Sequence, residues 1–336
     1  MRSLGAYLLA LLLAAGAAPQ ALAAQQEAPA IVPRAGESVS DAVVRTEEAA
    51  EGSTAAAADA PVDIITPHIT DSNGLELPYW KPPFYVHYEL PHFAPVTIGG
   101  VTFDFSPTKH VVFLLLAATL TAAMMILTAR AHVRHSHTVG RPRGFAAGLE
   151  AVVLYLRDEV VMRNIPHGGA RYAPFVLTLF FFILFANLLG LVPYGSTATG
   201  NISVTAALAL ITFVVVETAG MRAQGPAYLK TIVYWPSDMP LAMKLPMTFI
   251  MTPVEIVGKL TKPFALAIRL FANMTAGHII VLALISLIFA FAGLASAAPF
   301  LMAVAIMVLE LFVAFLQAFI FALLASVFIG QIVEHH

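Results

Sequence analysis

No cysteine occurs among the 336 residues, so disulfides, thiol catalysis and cysteine-based metal sites are excluded. Charge is scarce as well. Asp, Glu, Lys and Arg make up 11% of the chain, against about 25% in soluble domains. The formal net charge of −2 lacks the basic excess of a nucleic-acid binder. No glycine-rich phosphate loop, HExxH pair or GxSxG elbow is present, which removes the usual signatures of nucleotide, zinc-hydrolase and serine-hydrolase sites. What fills the chain instead is apolar: 59% hydrophobic residues and a mean hydropathy of +0.82. The long apolar runs match transmembrane helices, so the chain reads as an all-α polytopic membrane protein.

Residues 1–24 read as a secretory signal peptide. Arg2 opens it, an apolar run over 4–18 is short for a membrane span, and Ala21-Leu22-Ala23 offers small residues for cleavage. An uncleaved first membrane helix is the alternative. Residues 25–61, rich in Ala, Glu, Pro and Ser, hold too little apolar surface to fold alone and are expected to be disordered. Residues 62–106 carry aromatics and prolines, and the run from Thr97 to Thr102 around Gly99-Gly100 suggests a hairpin. This segment is expected on the exported side.

The membrane domain, 107–336, is expected to hold five spans at about 109–130, 172–193, 201–222, 245–291 and 299–330. Arg130, Arg134, Arg141 and Arg143 follow the first span, and the positive-inside rule puts that loop in the cytoplasm. His132, His135 and His137 lie in the same loop; a solvated basic turn accounts for them better than a metal site. Residues 145–163 are amphipathic, with Phe145, Leu149, Val152, Val153, Leu156 and Val160 at helical spacing, as in a helix lying flat on the cytoplasmic interface. Residues 172–216 contain no formal charge and are split by a turn at 193–200, which makes a helical hairpin. A long helix over 245–291 with Pro253 and Pro263 as points of kinking and a final helix over 299–330 complete the set. The N-terminus is then exported and the C-terminus cytoplasmic.

Inside this apolar frame, a few polar side chains stand out. Arg269 is the only formal charge in residues 264–291. An arginine at a helix centre costs roughly 2.5–3.5 kcal/mol to insert, and such residues face a partner charge or a water-filled cavity. Successive helix residues turn by about 100°. Glu255 is therefore about 40° from Arg269 and roughly 21 Å away along the axis, while Asn273 shares nearly the same face. His278, nine residues on, points about 180° away. On the last helix Glu310 and Gln317, seven residues apart, share a face. These angles turn Arg269 and Asn273 outward, and turn His278 inward toward Glu310. A His–Glu pair suits a proton relay because imidazole titrates near physiological pH. Plainer readings stand beside these. Asn187 and Gln317 can simply bond neighbouring helices, Lys259 and Lys262 can snorkel to the interface, and Arg269 can pair with Glu310. A metal at His278 and Glu310 lacks enough nearby ligands.

Three motifs carry a family resemblance. They are Leu260-Thr261-Lys262-Pro263 with Arg269-Leu270-Phe271-Ala272-Asn273-Met274-Thr275-Ala276-Gly277-His278, then Leu316-Gln317-Ala318-Phe319-Ile320-Phe321, and Phe185-Ala186-Asn187-Leu188-Leu189-Gly190-Leu191-Val192-Pro193. Over residues 103–336 the chain resembles the a subunit of the membrane sector of F-type ATP synthases. The resemblance implies a stator in the bacterial inner membrane that is not catalytic on its own and needs no cofactor. The implied partners are a ring of c subunits, the b subunits of the peripheral stalk and the rest of the synthase, within membrane lipid and without nucleic acid. It implies that Arg269 faces the ring carboxylate and that Glu255 lies on the cytoplasmic path. Asn273, His278, Glu310 and Gln317 would lie on the exported-side path, with Asn187 as a secondary candidate. Some members carry Glu and His where this chain has His278 and Glu310, an exchange that keeps one acid beside one imidazole. Ala272 stands where Gly is frequent, Ala265 where some members have Ser, and Gly190 where some have an acid.

A proton-coupled secondary transporter built on His278 and Glu310 is the alternative function. It calls for inverted repeats and a midplane substrate site, and the two halves of the sequence show no such repeat. A purely structural membrane anchor leaves the cost of burying Arg269, His278 and Glu310 unexplained.

Overall fold

The computed structural model describes residues 72–78, 85–93, 95–98, 101–103, 106–135, 144–192, 195–233, 235, 240–291 and 293–334. The expected signal peptide and the segment over 25–61 lie outside them. So does His137, and the side chains of His132 and His135 are likewise not described.

Two small antiparallel hairpins come first. β1 (Gly74–Pro78) pairs with β2 (Tyr85–Glu89) in a register running from Gly74 opposite Glu89 to Pro78 opposite Tyr85. β3 (Val96–Ile98) pairs with β4 (Val101–Phe103), with Thr97 opposite Thr102, as the Gly99-Gly100 signal leads one to expect. The β1–β2 pair lacks such a signal, because the sequence between its strands is rich in aromatics and proline and holds no glycine. The Lys109 amide donates to the Ser72 carbonyl at 2.9 Å, and the Phe93 amide donates to Ser106 Oγ at 3.0 Å. These bonds fix the hairpins at the start of the first helix. That end of the bundle is here called the hairpin end.

Five helices are long and apolar enough to cross a membrane. They are α1 (Lys109–His135), α3 (Gly169–Gly190), α4 (Ile202–Gln224), α5 (Leu241–Ala290) and α6 (Ala297–Glu334). The chain is thus an all-α polytopic membrane protein, with helix ends within five residues of the expected spans. In lipid a hydroxyl must find its partner within the protein. Those of Thr119, Thr121 and Thr128 accordingly donate to carbonyls four residues back, at 2.7–2.8 Å. α5 runs unbroken through Pro246, Pro253 and Pro263. At 1.5 Å per residue it measures about 75 Å, far beyond a ~30 Å hydrocarbon core, so it must tilt or project past the membrane surface.

The helices differ sharply in burial. In the most apolar stretch of α3, 78% of residues are buried within the protein; in that of α5, 6% are. α3 is therefore the core, and its Phe175, Leu179, Phe182 and Ile183 are fully enclosed. α5 packs on α4 and α6 through Leu266, Ala267, Leu270 and Met274 and leaves a long apolar wall exposed.

The surface helix is divided between two helical forms. α2 (Phe145–Tyr155) passes directly into a π-helical stretch over Leu156–Met162. That wider turn shifts the register by part of a turn. Leu149, Leu156, Val160 and Val161 are buried against the bundle, while Phe145 and Val152 of the apolar stripe are exposed.

Candidate functional site

Arg269 lies on the exposed face of α5, between the buried neighbours Ala267 and Leu270. It forms no ion pair with any described residue, Glu310 included. A shallow groove of about 550 Å³ adjoins it, lined by apolar and small residues including Val257, Gly258, Ala265 and Phe328.

The inward-facing pair is assembled as the helical angles predict. His278 Nδ1 on α5 lies 3.7 Å from Glu310 Oε1 on α6. Glu310 is 5% exposed. Gly277 makes this approach possible. A Cβ at that position would sit 2.7 Å from Glu310 Oε1 and 2.9 Å from its Cδ, closer than real Cβ contacts come.

The other face of the imidazole meets the connection between α3 and α4. Nε2 of His278 hydrogen-bonds with Thr197 Oγ1. The connection folds into the bundle, with a short 3-10 turn over Ala198–Gly200 that is buried at Ala198 and Thr199. Gly190 admits it, since a Cβ there would collide with the Thr197 hydroxyl. Asn187 is anchored in the same region. It accepts a hydrogen bond from Thr199 Oγ1 at 2.7 Å and donates to the Ala314 carbonyl at 3.3 Å. Four buried polar atoms near this cluster make no hydrogen bond within the protein: Ser196 Oγ, Thr275 Oγ1, Glu310 Oε1 and Gln317 Nε2. Buried polar atoms of this kind call for small polar partners.

Asn273 requires a correction. The angles turn it outward beside Arg269. It is exposed, but its Nδ2 donates to Gln317 Oε1 on α6 at 3.0 Å. A position about 40° from Arg269 is the edge of the exposed face, and an amide in an apolar setting turns to the nearest acceptor on a neighbouring helix. The Asn273–Gln317 bond therefore lies between Arg269 and the His278–Glu310 pair.

At the opposite end of the bundle a second polar group surrounds a cavity of about 550 Å³, lined by Glu217, Glu255, Lys259, Lys262, Gln331 and Glu334. Here too the sequence reading needs correction. Lys259 does not simply snorkel. Its Nζ is 3.6 Å from Glu217 Oε2, donates to Tyr228 Oη and Thr231 Oγ1 at 3.1 Å each, and lies 4.6 Å over the Tyr228 ring. Lys262 reaches Gln331 Oε1 at 3.4 Å and lies 5.1 Å over the Phe328 ring. Glu255 is exposed at the rim. Thr197, Glu217, Tyr228 and Thr231 were not singled out as site residues by sequence reasoning. Each sits far from its partner in the chain, and Thr197 reads locally as a turn residue. No cluster of three or more metal-ligating side chains occurs among the described residues.

A membrane bundle that holds an arginine, unpaired among the described residues, on one exposed helix face, with distinct polar groups toward either end, defines an ion-handling integral membrane protein. The family model described as ATP synthase A chain matches residues 111–330. The chain belongs to that family. It is 43% identical over 296 residues to ATP synthase subunit a 2 of Chlorobaculum tepidum, covering 86% of this chain and 78% of the relative. It is 44% identical to ATP synthase subunit a of Chloroherpeton thalassium over 74% of this chain and 72% of the relative. Against ATP synthase subunit a of Myxococcus xanthus it is 43% identical over 83% and 92%.

Proposed function

We propose that the chain is the stator of an F-type ATP synthase membrane sector, and that Arg269 faces an ionised carboxylate carried by a ring of c subunits. The observation that carries this reading is the exposed Arg269, unpaired among the described residues, on the least buried helix of the bundle. The groove beside it, with Gly258 and Ala265 in its lining, gives a partner helix room to approach.

The mechanism follows from charge. At 4 Å and an effective dielectric near 20, Arg269 and a carboxylate attract by about 4 kcal/mol. That attraction holds the ring carboxylate ionised as it passes, and repels a hydrated proton from crossing directly. A carboxylate moving off to one side takes a proton from the path through Gln317, Asn273, Glu310 and His278, with Asn187 supporting it. One arriving from the other side releases its proton into the cavity beside Glu255. Each charge moved across the membrane gains about 2.3 kcal/mol per 100 mV, and the two separate paths convert this into rotation. The hairpin end is then the exported side and the opposite end, with the C-terminus, the cytoplasmic side of a bacterial inner membrane. Nucleotide chemistry belongs to other subunits of the complex, which b subunits hold against this chain. Membership of the family does not favour the transporter alternative.

The test is Arg269→Ala in the complete synthase, with ATP-driven acidification of inverted membrane vesicles as the readout. Coupled pumping should be abolished, with the complex still assembled. Undiminished pumping would overturn the reading. Arg269→Lys should also fail, because a desolvated lysine can give up its proton where a guanidinium does not.

A further inference from the structure

We propose that Thr197 is a positioning residue of the hairpin-end path, holding the His278 ring so that Nδ1 is the nitrogen that exchanges a proton with Glu310. The inference deepens the stator reading and rests on it. Three observations carry it. Thr197 Oγ1 hydrogen-bonds with Nε2 of His278, on the side of the ring away from Glu310. Thr197 is 3% exposed, in a connection that folds into the bundle. Gly190 on α3 lacks the Cβ that would occupy the place of the hydroxyl.

The chemistry selects the direction of the bond. With Thr197 accepting from Nε2–H, the neutral ring keeps a lone pair at Nδ1, facing Glu310 Oε1. When a proton moves from Glu310 to Nδ1, the O–H bond breaks and an N–H bond forms. A neutral acid and a neutral imidazole then become a carboxylate and an imidazolium. The Nε2–H persists through this step, so the Thr197 contact serves both states without rearranging. Without it the ring can rotate and place its protonated nitrogen toward Glu310. Asn187 and Thr199 extend the support, because their 2.7 Å bond ties the same connection to α3.

Three substitutions separate this role from simple packing. Thr197→Ser keeps an acceptor, Thr197→Ala opens space that water can fill, and Thr197→Val puts a methyl group where the acceptor was. In inverted vesicles carrying the complete synthase, ATP-driven acidification is measured per assembled complex. The expected order is Ser near wild type, Ala lower by a few-fold, and Val lower by about tenfold, the scale of one lost hydrogen bond. A packing role predicts the reverse order of Val and Ala, because valine preserves the volume. That reversal, or unchanged pumping in Thr197→Val, overturns the inference. If the valine variant fails to assemble, the gap between Ala and Ser decides. A several-fold gap supports the role, and equality removes it. Arg269→Ala is run alongside. Undiminished pumping there overturns the stator reading, and this inference with it. Abolished pumping there with unchanged pumping in Thr197→Val overturns this inference alone.

Discussion

The two ends of the bundle handle polarity in opposite ways. At the hairpin end the polar groups are packed in contact. Glu310 and Thr197 are buried, the imidazole sits between them, and two glycines remove the side chains that would keep them apart. At the opposite end the polar groups line a cavity of about 550 Å³, and full charges appear as a Glu217–Lys259 pair with Glu255 exposed at the rim. Both groups draw on α5 and α6, and Arg269 lies between them, roughly 14 Å along α5 from His278 and 21 Å from Glu255. If both groups carry protons as proposed, the difference separates two ways of moving an ion through a membrane protein. A contact relay works only if its members keep their geometry, whereas a hydrated cavity tolerates displacement and depends on its charges. The hairpin end should therefore be far more sensitive to small changes in shape.

Exchange of the relay partners tests the contact directly. His278→Glu and Glu310→His, each alone, leave two acids or two imidazoles face to face, and each should reduce ATP-driven pumping by at least about tenfold, the scale of a lost charge-assisted contact. The double exchange restores one acid beside one imidazole and should recover a substantial part of the activity. Equal loss in all three variants would mean that the 3.7 Å approach has no functional weight. Gly277→Ala asks about shape alone and should have the next largest effect. Its methyl group would meet Glu310 Oε1 at 2.7 Å, so the carboxylate must move away from His278. Pumping should fall several-fold with the titratable groups all retained. Gly148→Ala on α2 is the control, since a Cβ there meets nothing within 4 Å and the residue lies outside both polar groups, so its pumping should stay closer to wild type than that of Gly277→Ala.

Much of this architecture is legible in the sequence, and the parts that are not share a cause. The membrane helices follow from apolar runs of bilayer length, and the opposed directions of Arg269 and His278 follow from nine residues of helical rotation. Asn273 is exposed as its angle predicts, but an angle near the border of two faces does not say which way a flexible amide turns, and its bond to Gln317 is not legible from it. The π-helical stretch over Leu156–Met162 is not legible either, because a 3.6-residue period does not reveal a π turn. Thr197 and Glu217 escaped because their partners are 81 and 42 residues away, in contacts set by helix packing and not by any local pattern.

The charged end should respond most mildly, and to charge more than to shape. Lys259 and Glu217 are 15% and 18% exposed at the side chain, so removing one leaves the other partly desolvated and unpaired. Lys259 retains Tyr228 and Thr231 as partners, and the adjoining cavity can admit water, which limits the loss. Lys259→Met and Glu217→Gln should each lower pumping by about threefold, the scale of a partly solvated ion pair worth ~0.7 kcal/mol. The double variant should lose less than the product of the two single losses, because it leaves no orphaned charge. High salt should narrow the differences among these variants, since charges lining an open cavity are screened, and should leave the Gly277→Ala defect unchanged. Additive losses in the Lys259–Glu217 cycle would show that the pair is not coupled in function. A salt response shared by Gly277→Ala would erase the distinction between a contact relay at one end and a hydrated, charged cavity at the other.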